Sequence, residues 1–221
     1  MALIDFVSLI HKSTKRDYLG RVNEFPKARA ADLAKKWDYD YWDGDRKTGY
    51  GGMRYDGRWQ KVAQAMVDHY RLKPGDKILD VGCGKGFLLY DFTQVLPGLE
   101  VFGVDVSPYA IEHAKPEIKD RIQLASAKTL PFTEKDFDLV ISITTLHNLY
   151  CYDLFEALKE IERVGRRNKY VCVESYRNED EKANLLYWQL TCEAFNTPAE
   201  WEWWFGQTGY TGDHSFIYFE S

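Results

Sequence analysis

"ILDVGCGKGF", residues 78–87, begins as an apolar run and turns into three glycines spaced two apart, with Asp80 two residues before the first of them. Such a run reads as a buried strand that ends by bringing bare backbone against a ligand, because glycine lets the chain approach without a Cβ and adopts positive φ at no steric cost. The sequence on either side continues the same theme. KILDV (77–81), VFGV (101–104), IQLAS (122–126), DLVISI (138–143) and YVCVE (170–174) are apolar and nearly unalternating, as in a sheet covered on both faces.

Helical signals fall between most of these runs. Ser107-Pro108 supplies an N-cap and a first-turn proline for the segment Tyr109 to Ala114, and Leu154, Leu158, Ile161 and Val164 mark a helical face that stops at Gly165. Before the first strand, Val62, Ala63, Met66, Val67 and Tyr70 share one face of a helix for which Asp56 is the expected cap. With right-handed crossovers, this order predicts an α/β fold: a doubly wound, mostly parallel sheet with helices on both faces. Residues 1–55 stand apart as an N-terminal helical extension and lid, and 56–221 form the main domain.

Bulk properties bound the function. A chain of 221 residues suits one α/β unit. The four cysteines form no C-x-x-C pair and no cluster at zinc spacing, so neither a disulfide framework nor a metal site is expected, and the expected compartment is the reducing cytoplasm. No apolar run has the length of a membrane span. The net charge of −5 conceals a gradient, since residues 1–79 carry 16 Lys and Arg against 11 Asp and Glu. A basic excess there is either solvated surface or an attraction for an anionic substrate.

The glycine turn narrows the ligand. A P-loop needs Ser or Thr after its lysine, and here Lys85 is followed by Gly86; the dinucleotide fingerprint needs a third glycine where Phe87 stands. What remains is acid-x-Gly-x-Gly-x-Gly, carried by Asp80, Gly82, Gly84 and Gly86. In this the sequence resembles the class I S-adenosylmethionine-dependent methyltransferases, small-molecule type, over about residues 60–175. The resemblance implies S-adenosyl-L-methionine as cofactor. Asp80 then accepts from the ammonium directly or through water, and the Gly82-Cys83-Gly84 turn passes close to sugar and tail. Asp105, 19 residues beyond Gly86, accepts from the ribose hydroxyls with Val106 beside it, its alternative being a helix cap. "LASAKTLPF" (124–132) looks like the adenine-binding segment, with Ser126-Ala127 where an acid and a small residue are expected, a departure that leaves the adenine amino group to a hydroxyl or a backbone carbonyl. "FDLVISITTLHNL" (137–149) brings Ile143 and Thr144 to the crevice.

The acceptor is less legible. His147 is the best single candidate for a catalytic base, and it can equally pack on the cofactor or hold substrate. Tyr50, Arg54 and Tyr55, around the flexible Gly51-Gly52, are lid candidates, Tyr50 toward the cofactor and the other two toward substrate; Tyr55 and Trp59 at i, i+4 can instead be core staples. "ANLLYWQLTCEAF" reads as an inserted helix above the strand ends, with Trp188 and Glu174 as candidate substrate contacts. "TPAEWEWWF" starts another helix on a capping box of Thr197 and Glu200, and its Trp201, Trp204 and Phe205 are core or, secondarily, a cage for a cation. The expected activity is methyl transfer to an oxygen, nitrogen or carbon of a small-molecule acceptor, an anionic one being the economical choice. The alternatives are an RNA or protein methyltransferase, for which the basic first third speaks, and a non-catalytic cofactor-binding subunit. Nucleic acid is otherwise not expected as a partner, and the sequence does not address oligomeric state.

Overall fold

A computed structural model describes residues 1–11 and 16–220. The N-terminal part forms short helices, α1 (Ser8–His11), α2 (Tyr18–Glu24), α3 (Lys27–Ala34) and α4 (Tyr39–Trp42). α5 (Gln60–Tyr70) leads into β1 (Lys77–Val81), α6 (Phe87–Val95), β2 (Glu100–Asp105), α7 (Pro108–Glu112), β3 (Ile122–Leu124) and β4 (Phe137–Ile143). Then follow α8 (Cys151–Val164), β5 (Gly165–Glu174), α9 (Glu179–Trp188), α10 (Pro198–Thr208) and β6 (Asp213–Ile217).

The six strands form one all-parallel sheet in the order β3-β2-β1-β4-β5-β6. The order reverses between β1 and β4, and in such sheets the crevice beyond the strand ends at that point is where ligands bind. The near-unbroken apolar runs have the expected cause. Every residue of β4 is buried, because helices cover both faces. Ile78, Leu139 and Ile141 face α5 and α6 in one cluster, while Leu79, Val81 and Val140 face α8 and α10 in the other. Burying each such side chain fully contributes about 1.5–3 kcal/mol. Ser142, the hydroxyl in this strand, is satisfied by the Val81 carbonyl at 2.9 Å.

Several boundaries differ from the sequence reading. Asp56 does not cap α5: its carboxylate binds Arg58 through Nε at 2.8 Å and Nη2 at 2.6 Å, and the helix starts at Gln60. The same carboxylate also accepts from the Arg58 N–H at 3.1 Å, so its bonds are made within the turn before the helix. The buried face of α5 is as read, with Val62, Ala63, Met66 and Val67 inside. β3 ends at Leu124 rather than 126, at the sheet edge where Leu124 is exposed. β5 begins five residues early, at Gly165, where Arg166 and Arg167 reach across to Asp138. α9 stops at Trp188, and residues 189–195 are not helical; there the backbone N–H groups of Glu193 and Ala194 donate to the carbonyl of His147 at 2.9 Å. The capping box of Thr197 and Glu200 is present on α10. Trp201 and Phe205 are fully buried against the sheet, with Trp204 packed beside them, so these aromatics are core.

The N-terminal segments close the open end of the sheet. Ile4 donates to the His214 carbonyl and His214 to Ala2 along the edge of β6, and α2 packs on α9. No helix among the described residues is long and apolar enough to cross a membrane.

Candidate functional site

The glycine turn begins where β1 ends. Gly82, Gly84 and Gly86 all have positive φ, and a Cβ at Gly82 would collide with the Thr145 side chain. Gly82 and Cys83 donate to the Val104 carbonyl at 2.8 and 3.1 Å, Gly84 to Asp105 Oδ2 at 2.7 Å, and Gly86 to the Cys83 carbonyl at 2.9 Å. These N–H groups are therefore committed internally and do not form a phosphate cradle of the kind found in P-loops. The turn suits a ligand that needs close approach to backbone without phosphate recognition.

A cavity of about 130 Å³ opens beside this turn. Gly82, Asp105, Val106, Ser126, Ala127, Ile143 and Thr144 from the sequence reading all line it, as does Tyr50. Asp105 is held by two backbone donors, Gly84 and Ser107, the latter at 2.8 Å, which fixes its carboxylate at the cavity wall. The helix cap is instead Ser107, whose hydroxyl accepts from Ala110. Other expected residues stand back from the cavity. Gly84 packs against the Trp42 ring, Gly86 against Ile118 and Ile122, and Cys83 against Gly103.

Asp80 is buried and does not line the cavity, and no donor among the described residues reaches its carboxylate. Burial, and secondarily the charge of Asp105, push it up to about 8. A cationic group nearby would restore its ionised form, which fits an ammonium-bearing ligand.

The roof of the cavity comes from the N-terminal segment, through Trp37, Tyr41 and Trp42, which the sequence reading missed. Trp42 Nε1 donates to Ser107 Oγ at 2.9 Å and its ring lies 5.6 Å from Tyr50 in a stacked arrangement. Below it, the buried Lys85 ammonium binds both Asp43 oxygens at 2.7 Å and the Met53 carbonyl at 3.0 Å, while Tyr109 donates to Asp43 at 2.9 Å. The lysine inside the glycine turn thus ties the extension to the sheet. The only signal for this in the sequence is the aromatic density of residues 37–55.

A second cavity, of about 430 Å³, meets the first at Tyr41, Tyr50, Thr144 and Asn148. Thr144 has φ of 55°, a strained conformation for a β-branched residue, held by its N–H on the Cys172 carbonyl and by Asn148 on its own carbonyl. His147, Glu174, Trp188 and Arg54 of the sequence reading line this second cavity. Tyr55 does not; its hydroxyl binds Asp91 at 2.6 Å and its ring packs on Phe87 and Tyr90, the staple role.

His147 is 2% exposed, and burial pushes its imidazole down to about 3, so it is neutral at ordinary pH. Its Nδ1 accepts from the Glu174 N–H at 3.4 Å, leaving Nε2 as the protonated nitrogen, 3.4 Å from Glu174 Oε2. Glu174 is buried as well. Gln189 donates to its Oε1, whereas Oε2 has no hydrogen-bond partner, and burial raises the carboxyl to about 8. A buried carboxyl on a residue of the cavity lining, titrating near neutrality, is suited to proton exchange.

Comparison with known proteins agrees with this architecture. Residues 72–213 match the family described as "Methyltransferase domain". A demethylmenaquinone methyltransferase of Symbiobacterium thermophilum is 36% identical over 128 residues, 54% of this chain and 50% of that protein, so the match spans half the relative's length. An uncharacterized methyltransferase of Synechocystis is 26% identical over 78% of this chain and 81% of its own. Among solved structures, a geranyl diphosphate methyltransferase in complex with SAM superposes with a TM-score of 0.56 at 18% identity, covering 67% of this chain and 64% of that one, a likeness of fold. With the all-parallel sheet, the glycine turn and the buried acids beside it, the chain belongs to the methyltransferase-domain family and has the class I methyltransferase fold.

Proposed function

We propose that the protein methylates a small-molecule acceptor held in the 430 Å³ cavity, with S-adenosylmethionine in the adjoining crevice and Glu174 receiving the acceptor's proton. The observation that carries this reading is the meeting of the two cavities at Tyr41, Tyr50, Thr144 and Asn148, one against the glycine turn and the other lined by the buried residue Glu174, whose Oε2 lies against His147.

The cofactor supplies a methyl group already activated on a sulfonium, so the protein's task is alignment, exclusion of water and proton removal. Asp105 and Tyr50 border the adenosyl side, and Asp80 lies behind the turn as the acid for the ammonium. Thr144 and Asn148 border the junction. His147 acts through Glu174: its neutral ring buttresses the carboxyl, and the Gln189 amide holds the other oxygen. The base role moves from His147 to Glu174 because the imidazole is shut in and its pKa is far below the working range, whereas the carboxyl titrates close to it.

The size of the cavity supports a small molecule, since enclosed ligand sites run to roughly 300–1,000 Å³. The arginines of the basic N-terminal third also favour that reading over RNA, because Arg16, Arg21 and Arg46 line the cavity and the first two are half-buried there. The free cysteines suit a cytoplasmic protein. Incubation of the chain and labelled S-adenosylmethionine with a fractionated extract, followed by mass spectrometry of what gains a methyl group, tests the proposal. Label in a small molecule supports it. Label confined to RNA or protein overturns it, and cofactor binding without any turnover points to a non-catalytic subunit.

A further inference from the structure

The larger cavity has a strong charge bias. Arg16, Arg21, Arg46, Arg54 and Arg58 line it, against the carboxyls of Asp56 and Glu174. Asp56 is engaged by Arg58 on the same loop, and burial favours the neutral form of Glu174. His11, also at the wall, is pushed down to about 4 by burial and by Arg16 and carries no charge near neutrality. The wall is therefore cationic by several charges.

Three of those charges surround Trp188. Arg16, Arg21 and Arg46 place their guanidinium carbons 5.3, 4.6 and 5.4 Å from the centre of the Trp188 ring. Their positions are fixed largely by backbone oxygens. Arg21 donates to the carbonyls of Trp188 at 2.8 Å and Arg46 at 3.1 Å, and Arg46 to those of Gly49 and Tyr50 at 3.3 and 3.1 Å. Among the described residues, neither Arg21 nor Arg46 lies within ion-pair distance of a carboxylate. Burial and the nearby Arg46 pull the Arg21 guanidinium down to about 10, the sign expected when like charges are crowded without a counter-ion.

The half-buried Arg21 guanidinium lies beside the charge of Arg46 with no carboxylate in ion-pair reach of either among the described residues, an arrangement that an anionic ligand offsets. Guanidinium forks recognise carboxylate and phosphate oxygens, and a cluster with several uncompensated charges is best matched by a group with more than one negative charge. Trp188 and Glu174 line the same cavity, with Gln189 joining them, so an acceptor anchored by its anion at Trp188 has the carboxyl within the same site.

We infer that the Arg21–Arg46 cluster over Trp188 is the subsite for a multiply charged phosphoryl or diphosphoryl group of the methyl acceptor. This rests on the larger cavity's being the acceptor site. The cluster then sets specificity: it selects acceptors carrying such a group and fixes which end points toward Thr144 and the cofactor. A singly charged carboxylate would leave positive charge uncompensated and bind more weakly.

The test uses the full chain saturated with S-adenosylhomocysteine, titrated calorimetrically with pyrophosphate, inorganic phosphate and acetate. Pyrophosphate is expected to bind more tightly than phosphate, and acetate weakest. Arg46→Gln is expected to weaken pyrophosphate about tenfold or more, with S-adenosylhomocysteine affinity unchanged as the check on folding. Arg46 is the first choice because Arg21 also anchors the Trp188 carbonyl. No pyrophosphate binding by the wild type, or equal binding by Arg46→Gln, overturns the subsite. If the labelled product from extract is a small molecule without an anionic group, the subsite fails while the small-molecule reading stands. If label enters only RNA or protein, the acceptor reading fails too, whatever pyrophosphate does.

Discussion

The two cavities that meet at Thr144 differ in charge. One acid, Asp105, stands at the wall of the smaller, and the larger is lined by arginines. The cofactor brings a sulfonium and an ammonium, so acids suit its side; an anionic acceptor suits the other. Placing the two ligands in adjoining sites that differ in charge discourages either from entering the wrong one, because a misplaced charge loses its partner and meets its like. They also differ in how they are built. The cofactor side is backbone-made, with its turn closed by internal hydrogen bonds, whereas the acceptor side is made of long side chains from distant segments.

The largest expected effect separates chemistry from binding. Glu174→Gln keeps the amide contact with Gln189 within reach but removes the proton acceptor, and is expected to lower turnover about 100-fold or more while cofactor affinity changes little. The wild-type rate should rise with pH toward about 8, where the carboxyl ionises, with no inflection from His147 near 6.5. Steady-state rates from pH 5.5 to 9 decide this, and a mutant with normal turnover removes Glu174 from the chemistry.

Next comes the cofactor wall. Asp105→Ala loses charge-assisted bonds worth about 1.5–3 kcal/mol, which corresponds to roughly 10- to 150-fold in cofactor affinity. It also frees the Gly84 and Ser107 N–H groups. Pyrophosphate binding at the arginine cluster should be untouched, and calorimetry with both ligands sharpens the contrast. Unchanged S-adenosylhomocysteine affinity would take Asp105 out of the site.

A third measurement concerns the roof. The segment 48–58 is tied to the sheet through Met53, whose N–H donates to the Trp42 carbonyl at 2.9 Å and whose carbonyl accepts from Lys85. Ordering backbone costs about 1–2 kcal/mol per residue, so hydrogen exchange here should slow when S-adenosylhomocysteine binds. Lys85→Met is expected to abolish most of that slowing. Equal exchange with and without ligand marks the segment as fixed scaffold.

The smallest effect is on stability. Glu174 has a native pKa near 8 against about 4.5 unfolded, so the folded state binds the proton more tightly. Its contribution is full below about 4.5 and is lost as pH rises through 8. The melting-temperature advantage of wild type over Glu174→Gln should therefore shrink between pH 5 and 8.5, and an advantage that grows with pH would contradict a protonated buried carboxyl.

Much of the cofactor side was legible because its signals are local. Asp80, the glycines and Asp105 declare themselves by spacing along one strand-turn-helix and the next strand end. Asp56 misled because its competing partner, Arg58, is a side chain whose geometry spacing does not specify. His147 looked like a base by residue type and position, yet type says nothing of burial, and burial makes it neutral while raising Glu174 into the useful range.

The alternation of strands and helices from β1 to β5 and the turn at Gly82 to Gly86 follow from the sequence alone, since backbone conformation and apolar periodicity act over a few residues. The order of the strands in the sheet, the sixth strand β6 and the arginine-lined cavity were decided only by tertiary structure. Arg21 meets the Trp188 carbonyl 167 positions away because α2 packs on α9, and Trp42 roofs the glycine turn because Ser107 receives its indole. Contacts between segments so far apart depend on the packing of whole elements, which no local pattern encodes.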